Sequence, residues 1–330
     1  MKPLAIATLT LGSLGTTFAA LLSLPPSAPA PPDNPTTPEK VALGRQLFFD
    51  PILSRDQVIS CSSCHSPQHA FADPTGQAIS PGTSARRGRR NAISLINAGD
   101  RPHLTWPGTA SSLETQAMIP MTDHAELDLS VDEVVTRLKA APAYVKLFQT
   151  AFNSAPTMQN TVRALGSFER TLESRNSPYD RYQAGDASAL SAQQVRGLDL
   201  FFGKADCFHC HTGRDFSDER PHNNAILLFN LDTGRAEQTE QDGDVGKFIT
   251  PSLRNVGLTA PYMHDGSFKT LKQVVEHYND GGEPNPNADP LIRPLGLSEQ
   301  DIDDLVAFLT SLDDPTIKSN PAFAAPLETP

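Results

Sequence analysis

The 330-residue sequence predicts a mainly α-helical protein made of two related domains with long loops. Apolar residues recur at helical spacing, whereas no run alternates in the manner of a β-strand. Two similar stretches, Leu43-Gly44-Arg45-Gln46-Leu47-Phe48-Phe49 and Arg196-Gly197-Leu198-Asp199-Leu200-Phe201-Phe202, each precede a Cys-x-x-Cys-His run. A repeated stretch followed by a repeated motif indicates internal duplication.

All four cysteines of the chain lie in these two Cys-x-x-Cys-His runs. This run is the attachment signature of a c-type haem, in which the two thiols add to the haem vinyl groups and the adjacent imidazole binds iron. Zinc binding and disulfides are the alternatives, and two complete copies with no remaining cysteine favour two covalently bound haem c groups. The predicted attachment and iron-binding residues are Cys61, Cys64, His65, Cys207, Cys210 and His211.

The N-terminus differs in composition from the rest of the chain. Lys2 precedes an apolar run from Leu4 to Leu24 without a charged residue, and a Pro-rich stretch follows. This order is typical of a secretory signal and a linker, and an uncleaved membrane anchor is the alternative. Because c-type haems are attached outside the cytoplasm, we expect a periplasmic protein. The predicted segments are 1–24 signal peptide or anchor, 25–38 linker, 39–188 N-terminal haem domain, 189–315 C-terminal haem domain and 316–330 tail.

The other elements are predicted from capping boxes and apolar periodicity. Ser130–Glu133 and Thr270–Gln273 are capping boxes that open helices, and Ser298 caps a third helix near the C-terminus. Polar segments with Gly and Pro, such as 218–247 and 281–294, are predicted as loops. The net charge of −11 argues against a nucleic-acid partner and is compatible with a basic redox partner.

Two residues are candidates for the sixth ligand of the second haem. Tyr278 falls on the apolar stripe of the helix that Thr270 opens, and Met263 lies in the turn before that helix. A thioether ligand raises the haem potential, whereas a phenolate stabilises higher oxidation states of iron. Tyr278 can equally be a core tyrosine whose hydroxyl bonds to backbone.

The first motif is not followed by His or Met in a comparable context. Instead, the chain offers its only tryptophan, Trp106, followed by Gln116, Pro120 and Glu126. An amide and a carboxylate beside an open iron suit peroxide chemistry, because the amide can hold a bound oxygen and the carboxylate can move a proton between the two peroxide oxygens. A tryptophan can relay electrons between two haems. Ordinary packing or capping roles are the alternatives.

The sequence resembles the bacterial di-haem cytochrome c peroxidase and MauG family over residues 39–312. The matching blocks are Leu43–Pro51, Ile59–His65, Arg89–Ala92, Leu253–Val256, Pro261–Gly266 and the order and spacing of Trp106, Gln116, Pro120 and Glu126. The resemblance implies two cytochrome c-like domains, a peroxidatic haem on His65 and an electron-storing or electron-relaying haem on His211. It further implies that Trp106 lies between the haems and that Gln116, Pro120 and Glu126 lie over the first iron. A calcium ion is implied at Asn91 and the carbonyls of Thr259 and Pro261.

Three positions depart from the ordinary peroxidases of this family. Their second haem takes a methionine at the position that is Tyr278 here, fourteen residues after His264, and MauG has a tyrosine there. Many of them carry a histidine that caps the resting first haem, and the corresponding residue here is Pro81. The family's Trp-Asp-Gly is Trp106-Pro107-Gly108. The first two departures imply a MauG-like subgroup with tyrosine ligation and an open first haem, whereas the third does not favour that subgroup.

Two classes of function follow. The first is a cytochrome c peroxidase-type oxidoreductase that uses hydrogen peroxide, either with electrons from a small c-type cytochrome or cupredoxin, or to oxidise a partner protein as MauG does. The second is a non-catalytic di-haem electron-transfer cytochrome with both irons six-coordinate. Gln116 and Glu126 favour the first class. No oligomeric state is predicted.

Overall fold

The structure is a computed structural model that describes residues 29–327. The predicted signal or anchor over 1–24 lies outside the described residues. Two strands, β1 (Pro221–His222) and β2 (Phe248–Ile249), pair antiparallel. The α-helices of the described range are α1 (Pro38–Phe49), α2 (Cys61–Cys64), α3 (Leu113–Thr122), α4 (Val131–Ala140), α5 (Pro142–Phe152), α6 (Met158–Glu169), α7 (Pro178–Gln183), α8 (Ala192–Phe202), α9 (Ala236–Thr239), α10 (Leu271–Asp280) and α11 (Glu299–Thr310). The mainly α prediction is confirmed.

The predicted capping boxes form where the sequence places them. Ser130 caps α4 and Thr270 caps α10, and in each case the side chain of the third helix residue completes the capping box. Ser298 caps α11 in the same manner. Helix α10 ends at Gly281, whose φ of 84° lies in the left-handed region that favours glycine.

Two hydrophobic cores repeat the same helix crossing. In the first core α1 packs on α6, and in the second core α8 packs on α11. A β-carbon at Gly44 would lie 1.9 Å from the carbonyl oxygen of Ala164, and one at Gly197 would lie 2.0 Å from that of Asp304. Both crossings therefore need glycine, because the backbones approach too closely for any side chain.

Each core centres on three phenylalanine rings in matching positions. In the first core the central ring lies 5.9 Å and 5.3 Å from the other two, and in the second the distances are 5.9 Å and 5.1 Å. The central rings belong to the repeated stretches that precede the two motifs. The two triads are Phe48, Phe71 and Phe168, and Phe201, Phe216 and Phe308. The contacts reproduce the internal duplication that the sequence indicates.

The segments that flank the two domains pack on the first of them. In the Pro-rich segment, the buried Asn34 donates hydrogen bonds to the Glu114 carboxylate and to the Arg163 carbonyl oxygen. Beyond residue 315, Ile317 and Phe323 are part of the first core. Over residues 29–327, the structure contains no helix long and apolar enough to cross a membrane.

Candidate haem sites

The two motif histidines are held in the same way. His65 Nδ1 lies 2.8 Å from the carbonyl oxygen of Phe71, and His211 Nδ1 lies 2.9 Å from that of Phe216. A carbonyl only accepts, so Nδ1 carries the proton and Nε2 is the nitrogen available to iron. Burial lowers the pKa of both imidazoles, which keeps them neutral, as an iron ligand must be.

The carbonyls that hold the histidines come from strained backbone. Phe71 has a φ of 57° and Phe216 a φ of 52°. A positive φ is disfavoured for a bulky side chain, at a cost of about 1–3 kcal/mol, and persists only where the surroundings enforce it. Here the same residues bury their rings in the two phenylalanine triads. Core packing therefore fixes the direction of each proximal carbonyl.

The four cysteines are free thiols held in protein surroundings. Burial raises the pKa of Cys64 to about 11 and that of Cys207 and Cys210 each to about 12, and it also raises the pKa of Cys61. Neutral, half-buried thiols beside a histidine suit thioether bonds to a haem. Within the described range, no group of three or more His, Cys, Asp or Glu side chains is placed to hold a metal ion.

A cavity of about 230 Å³ lies beside the second motif. Its wall includes the motif cysteines, the proximal histidine, both candidate sixth ligands and the tryptophan. These residues are Trp106, Cys207, Cys210, His211, Met263 and Tyr278. The structure thus brings together every residue that the sequence assigns to the second haem.

Both candidate sixth ligands touch one amide. Asn224 Nδ2 lies 3.2 Å from the Tyr278 hydroxyl oxygen and 3.2 Å from the Met263 sulfur. Burial raises the pKa of Tyr278 to about 12, whereas the Asn224 hydrogen bond acts in the opposite direction. The neighbouring His277 instead places Nε2 2.8 Å from the Asn224 carbonyl oxygen. Asn224 was not predicted, because it lies in a polar loop without a motif.

The first site repeats the framework of the second with different side chains. The bridge between Tyr262 and Phe268 precedes α10, and an equivalent bridge precedes α3. Pro120 is the eighth residue of α3, as Tyr278 is the eighth residue of α10. Gln116 takes the fourth position of α3. The duplication therefore places a proline, which has no side-chain donor atom, where the second site has a tyrosine.

Glu126 lies in the loop after α3 and close to the first motif. Its charge contributes to the raised pKa of both Cys61 and Cys64. Burial, with a smaller contribution from Asp123, raises the pKa of Glu126 to about 7. The Glu126 residue is nevertheless exposed to solvent. Among the described residues, the Gln116 side chain has no hydrogen-bond partner, which leaves its amide available to a ligand.

Trp106 lines the cavity beside the second motif. Its indole Nε1 donates to the Asn91 carbonyl oxygen at 2.8 Å, and its own carbonyl oxygen accepts from Ile249 N at 2.8 Å. The ring stands edge-on to His264 at 6.4 Å between centroids. The ring thus forms part of the wall of the cavity beside the second motif. The chain that follows Trp106 leads into α3, which carries Gln116 and Pro120.

Comparison with known proteins identifies the family. The di-haem cytochrome c peroxidase family matches residues 38–188, and the cytochrome c family matches residues 194–313. The methylamine utilization protein MauG of Methylorubrum extorquens is 41% identical over 302 residues, which cover 90% of this chain and 83% of that protein. The chain belongs to the di-haem cytochrome c peroxidase and MauG family. It is an oxidoreductase of the peroxidase type whose cofactors are two haem c groups, as the sequence predicts.

Two further similar proteins align with most of this di-haem protein. Cytochrome c551 peroxidase of Pseudomonas aeruginosa is 33% identical over 84% of this chain and 80% of that protein. The crystal structure of a MauG-like protein associated with microbial copper homeostasis superimposes with a TM-score of 0.86 at 33% identity, over 93% of this chain and 99% of that one. The relatives therefore include both peroxidases and MauG proteins.

The residues that the family resemblance assigns to calcium also lie together. The cavity beside the second motif is lined by Asn91, Thr259 and Pro261 among others. Asn91 Nδ2 donates to the Ala78 carbonyl oxygen at 3.0 Å. Within the described part of the chain, no hydrogen bond is accepted by Asn91 Oδ1 or by the carbonyl oxygens of Thr259 and Pro261. Three free oxygens of this kind suit calcium.

Proposed function

We propose that this di-haem protein is a periplasmic enzyme that reacts with hydrogen peroxide at a haem on His65, while a haem on His211 stores or relays electrons. The domains would cover 39–188 and 189–315. The observation that supports the proposal is the difference at one helix position: the eighth residue is Pro120 in α3 and Tyr278 in α10. A proline there would leave the first iron open, and a tyrosine there would close the second. The half-buried thiols and the two histidines whose Nδ1 atoms are held by backbone carbonyls fit covalent haem at both places.

At the first site, a haem held by His65 would supply the redox chemistry for peroxide. Glu126 would take a proton from one peroxide oxygen and return it to the other, which would leave as water. A pKa of about 7 lets this carboxyl both accept and donate a proton near neutral pH. Gln116 would orient the peroxide through its side-chain amide.

At the second site, Tyr278 is proposed as the sixth ligand and Met263 as the alternative. The Asn224 amide donates to the tyrosine oxygen, and a donated hydrogen bond stabilises a phenolate. A phenolate is a hard, anionic donor that favours oxidised iron. Trp106 is proposed as the electron relay between the two haems. A calcium ion is proposed at Asn91 and the carbonyl oxygens of Thr259 and Pro261, where it would hold together the loops that contain these residues.

A protein partner is supported by an exposed apolar loop beside the second site. Leu228, Phe229 and Leu231 are 41%, 74% and 90% exposed. The loop begins next to Asn224, which contacts both candidate ligands. An exposed apolar cluster of this kind is typical of an interaction site. The partner would be a small electron-donating cytochrome or cupredoxin, or a protein whose side chains are oxidised.

The test adds peroxide to the purified ferric protein and to Tyr278→Phe, with Tyr262→Phe as the matched control. Tyr262 lines the same cavity, but its hydroxyl donates to the Val256 carbonyl oxygen at 3.0 Å. We expect wild type and Tyr262→Phe to form a long-lived oxidised species seen by absorption, and Tyr278→Phe to lose it. Equal behaviour of all three proteins would refute tyrosine ligation.

The resting spectrum separates the enzyme from the non-catalytic electron-transfer cytochrome. One high-spin and one low-spin ferric haem is the result expected of a protein with one open iron. Two low-spin haems that do not react with peroxide would establish the electron-transfer alternative. For a protein that reacts with peroxide, a further test adds a reduced small cytochrome together with peroxide. Oxidation of that cytochrome would support peroxide reduction rather than oxidation of a partner protein.

A further inference from the structure

After the helix that completes each hydrophobic core, the chain crosses to the other core. Helix α6 completes the first core, yet α7, which follows it, places Tyr179 in the second core. Helix α11 completes the second core, yet the segment after it places Ile317 and Phe323 in the first core. Each half of the sequence thus contributes a segment to the core of the other half, and the two segments occupy equivalent places in the duplicated sequence.

Each crossing segment delivers one aromatic ring to an equivalent place. The Phe323 ring meets the Phe71 ring edge-on at 5.7 Å, and the Tyr179 ring meets the Phe216 ring edge-on at 5.2 Å. Phe323 is 4% exposed and Tyr179 is 9% exposed, so both contacts are buried. Phe71 and Phe216 are the two residues whose carbonyls hold the proximal histidines.

The crossing segments are also fixed along their length. Arg45 on α1 donates to the carbonyl oxygens of Ala324 and Pro321, both at 2.8 Å. Tyr179 N donates to the Ser311 carbonyl oxygen at 3.1 Å. The two crossings meet at Asp314, whose carboxylate accepts from backbone N–H groups of the first crossing segment. Hydrogen bonds therefore hold in place the segments that carry Phe323 and Tyr179.

We propose that Phe323 and Tyr179 are positioning residues, each of which sets the proximal histidine hydrogen bond of the haem in the other half of the sequence. Phe71 holds a disfavoured positive φ because its ring is wedged between Phe48 and Phe323. Without the outer ring, Phe71 relaxes and its carbonyl turns away from His65. The same reasoning links Tyr179, through Phe216, to His211.

The proximal hydrogen bond controls the iron through the imidazole. A carbonyl that accepts from Nδ1 raises the basicity of Nε2, which stabilises ferric over ferrous iron. Loss of the hydrogen bond therefore raises the reduction potential of the haem concerned. We expect about a tenfold change in the ferric-to-ferrous equilibrium, which equals ~59 mV for one electron. The inference requires both haems but not the peroxide reaction.

The test is a redox titration of the purified di-haem protein followed by absorption. Phe323→Leu and Tyr179→Leu keep an apolar side chain but remove the ring. Phe71→Leu and Phe216→Leu mark which of the two reduction steps belongs to which haem, independently of any assignment of spin state. We expect Phe323→Leu to move the step that Phe71→Leu moves, and Tyr179→Leu to move the step that Phe216→Leu moves.

Two controls separate positioning from general loss of packing. Phe148→Leu makes a similar change in the first core, where Phe148 is fully buried and stacks on Phe152 at 6.2 Å without touching the Phe71 ring. It should move neither step. Among the described residues Tyr179 has no hydrogen bond through its hydroxyl, so Tyr179→Phe should retain the wild-type potentials. Shifts of both steps in either crossing variant, or shifts no larger than that of Phe148→Leu, would overturn the inference.

Discussion

Replacement of Glu126 by Gln tests the proposed proton transfer through its pH dependence. Burial raises the pKa of Glu126 to about 7, and only the ionised carboxylate can accept the peroxide proton. The ionised fraction rises from about one tenth at pH 6 to about nine tenths at pH 8 for a group with this pKa. The rate of reaction with peroxide should therefore rise about tenfold over this interval in wild type. Glu126→Gln should be slower by about 10²- to 10⁴-fold and lose the rise.

The assay is stopped-flow absorption of the ferric protein mixed with excess peroxide at a series of pH values. Asp123→Asn serves as an independent check, because the Asp123 charge adds to the raised pKa of Glu126. Its removal should move the midpoint of the rate profile to lower pH without abolishing the reaction. A Glu126→Gln profile that rises as in wild type would show that another group carries the proton.

Four further changes test other parts of the structure. Gly44→Ala should lower the free energy of unfolding by about 1–3 kcal/mol through overpacking against α6, whereas Gly88→Ala, with nothing within 4 Å, should leave the thermal midpoint unchanged. Pro120→Met should convert the first haem from high spin to low spin in the absorption spectrum and slow its reaction with peroxide. Calcium chelation should lower the thermal midpoint of wild type more than that of Asn91→Ala, and equal losses would contradict the proposed ion site. Burial raises the pKa of Glu169 to about 8 from an unfolded value near 4.5, so the unfolded state loses its proton first and wild-type stability falls as pH rises between these values. Calorimetry from pH 5 to pH 9 should show a smaller fall in Glu169→Gln.

The features that local sequence determines were predicted well. Capping boxes and apolar periodicity depend on neighbouring residues alone, so Thr270 and the helix that presents Tyr278 could be read directly. The repeated stretches around Gly44 and Gly197 likewise predict the duplication from residue order alone. At both positions the structure adds the reason, which is the close approach of two helices.

The features that depend on distant parts of the chain could not be predicted. The carbonyls of Phe71 and Phe216 hold the proximal histidines, but a backbone acceptor leaves no trace in residue type. Asn224 reaches Tyr278 across 54 residues of chain from a loop without periodicity. Phe323 lies in a segment that sequence alone describes as a tail, yet it packs in the first core. Each of these contacts arises from tertiary packing.

The two sites differ in the side chain at one equivalent helix position, which is Pro120 in α3 and Tyr278 in α10. A proline inside a helix costs about 3 kcal/mol relative to alanine, since it removes a backbone donor and crowds the preceding turn. The equivalent position of α10 accommodates Tyr278 without that cost, so the fold itself does not require proline at position 120. Under the proposed function, a proline here excludes a side chain that could reach the first iron. The stability that Pro120 costs α3 therefore supports the proposed role in keeping that iron open, because a functional position is where a departure from the best local choice is expected.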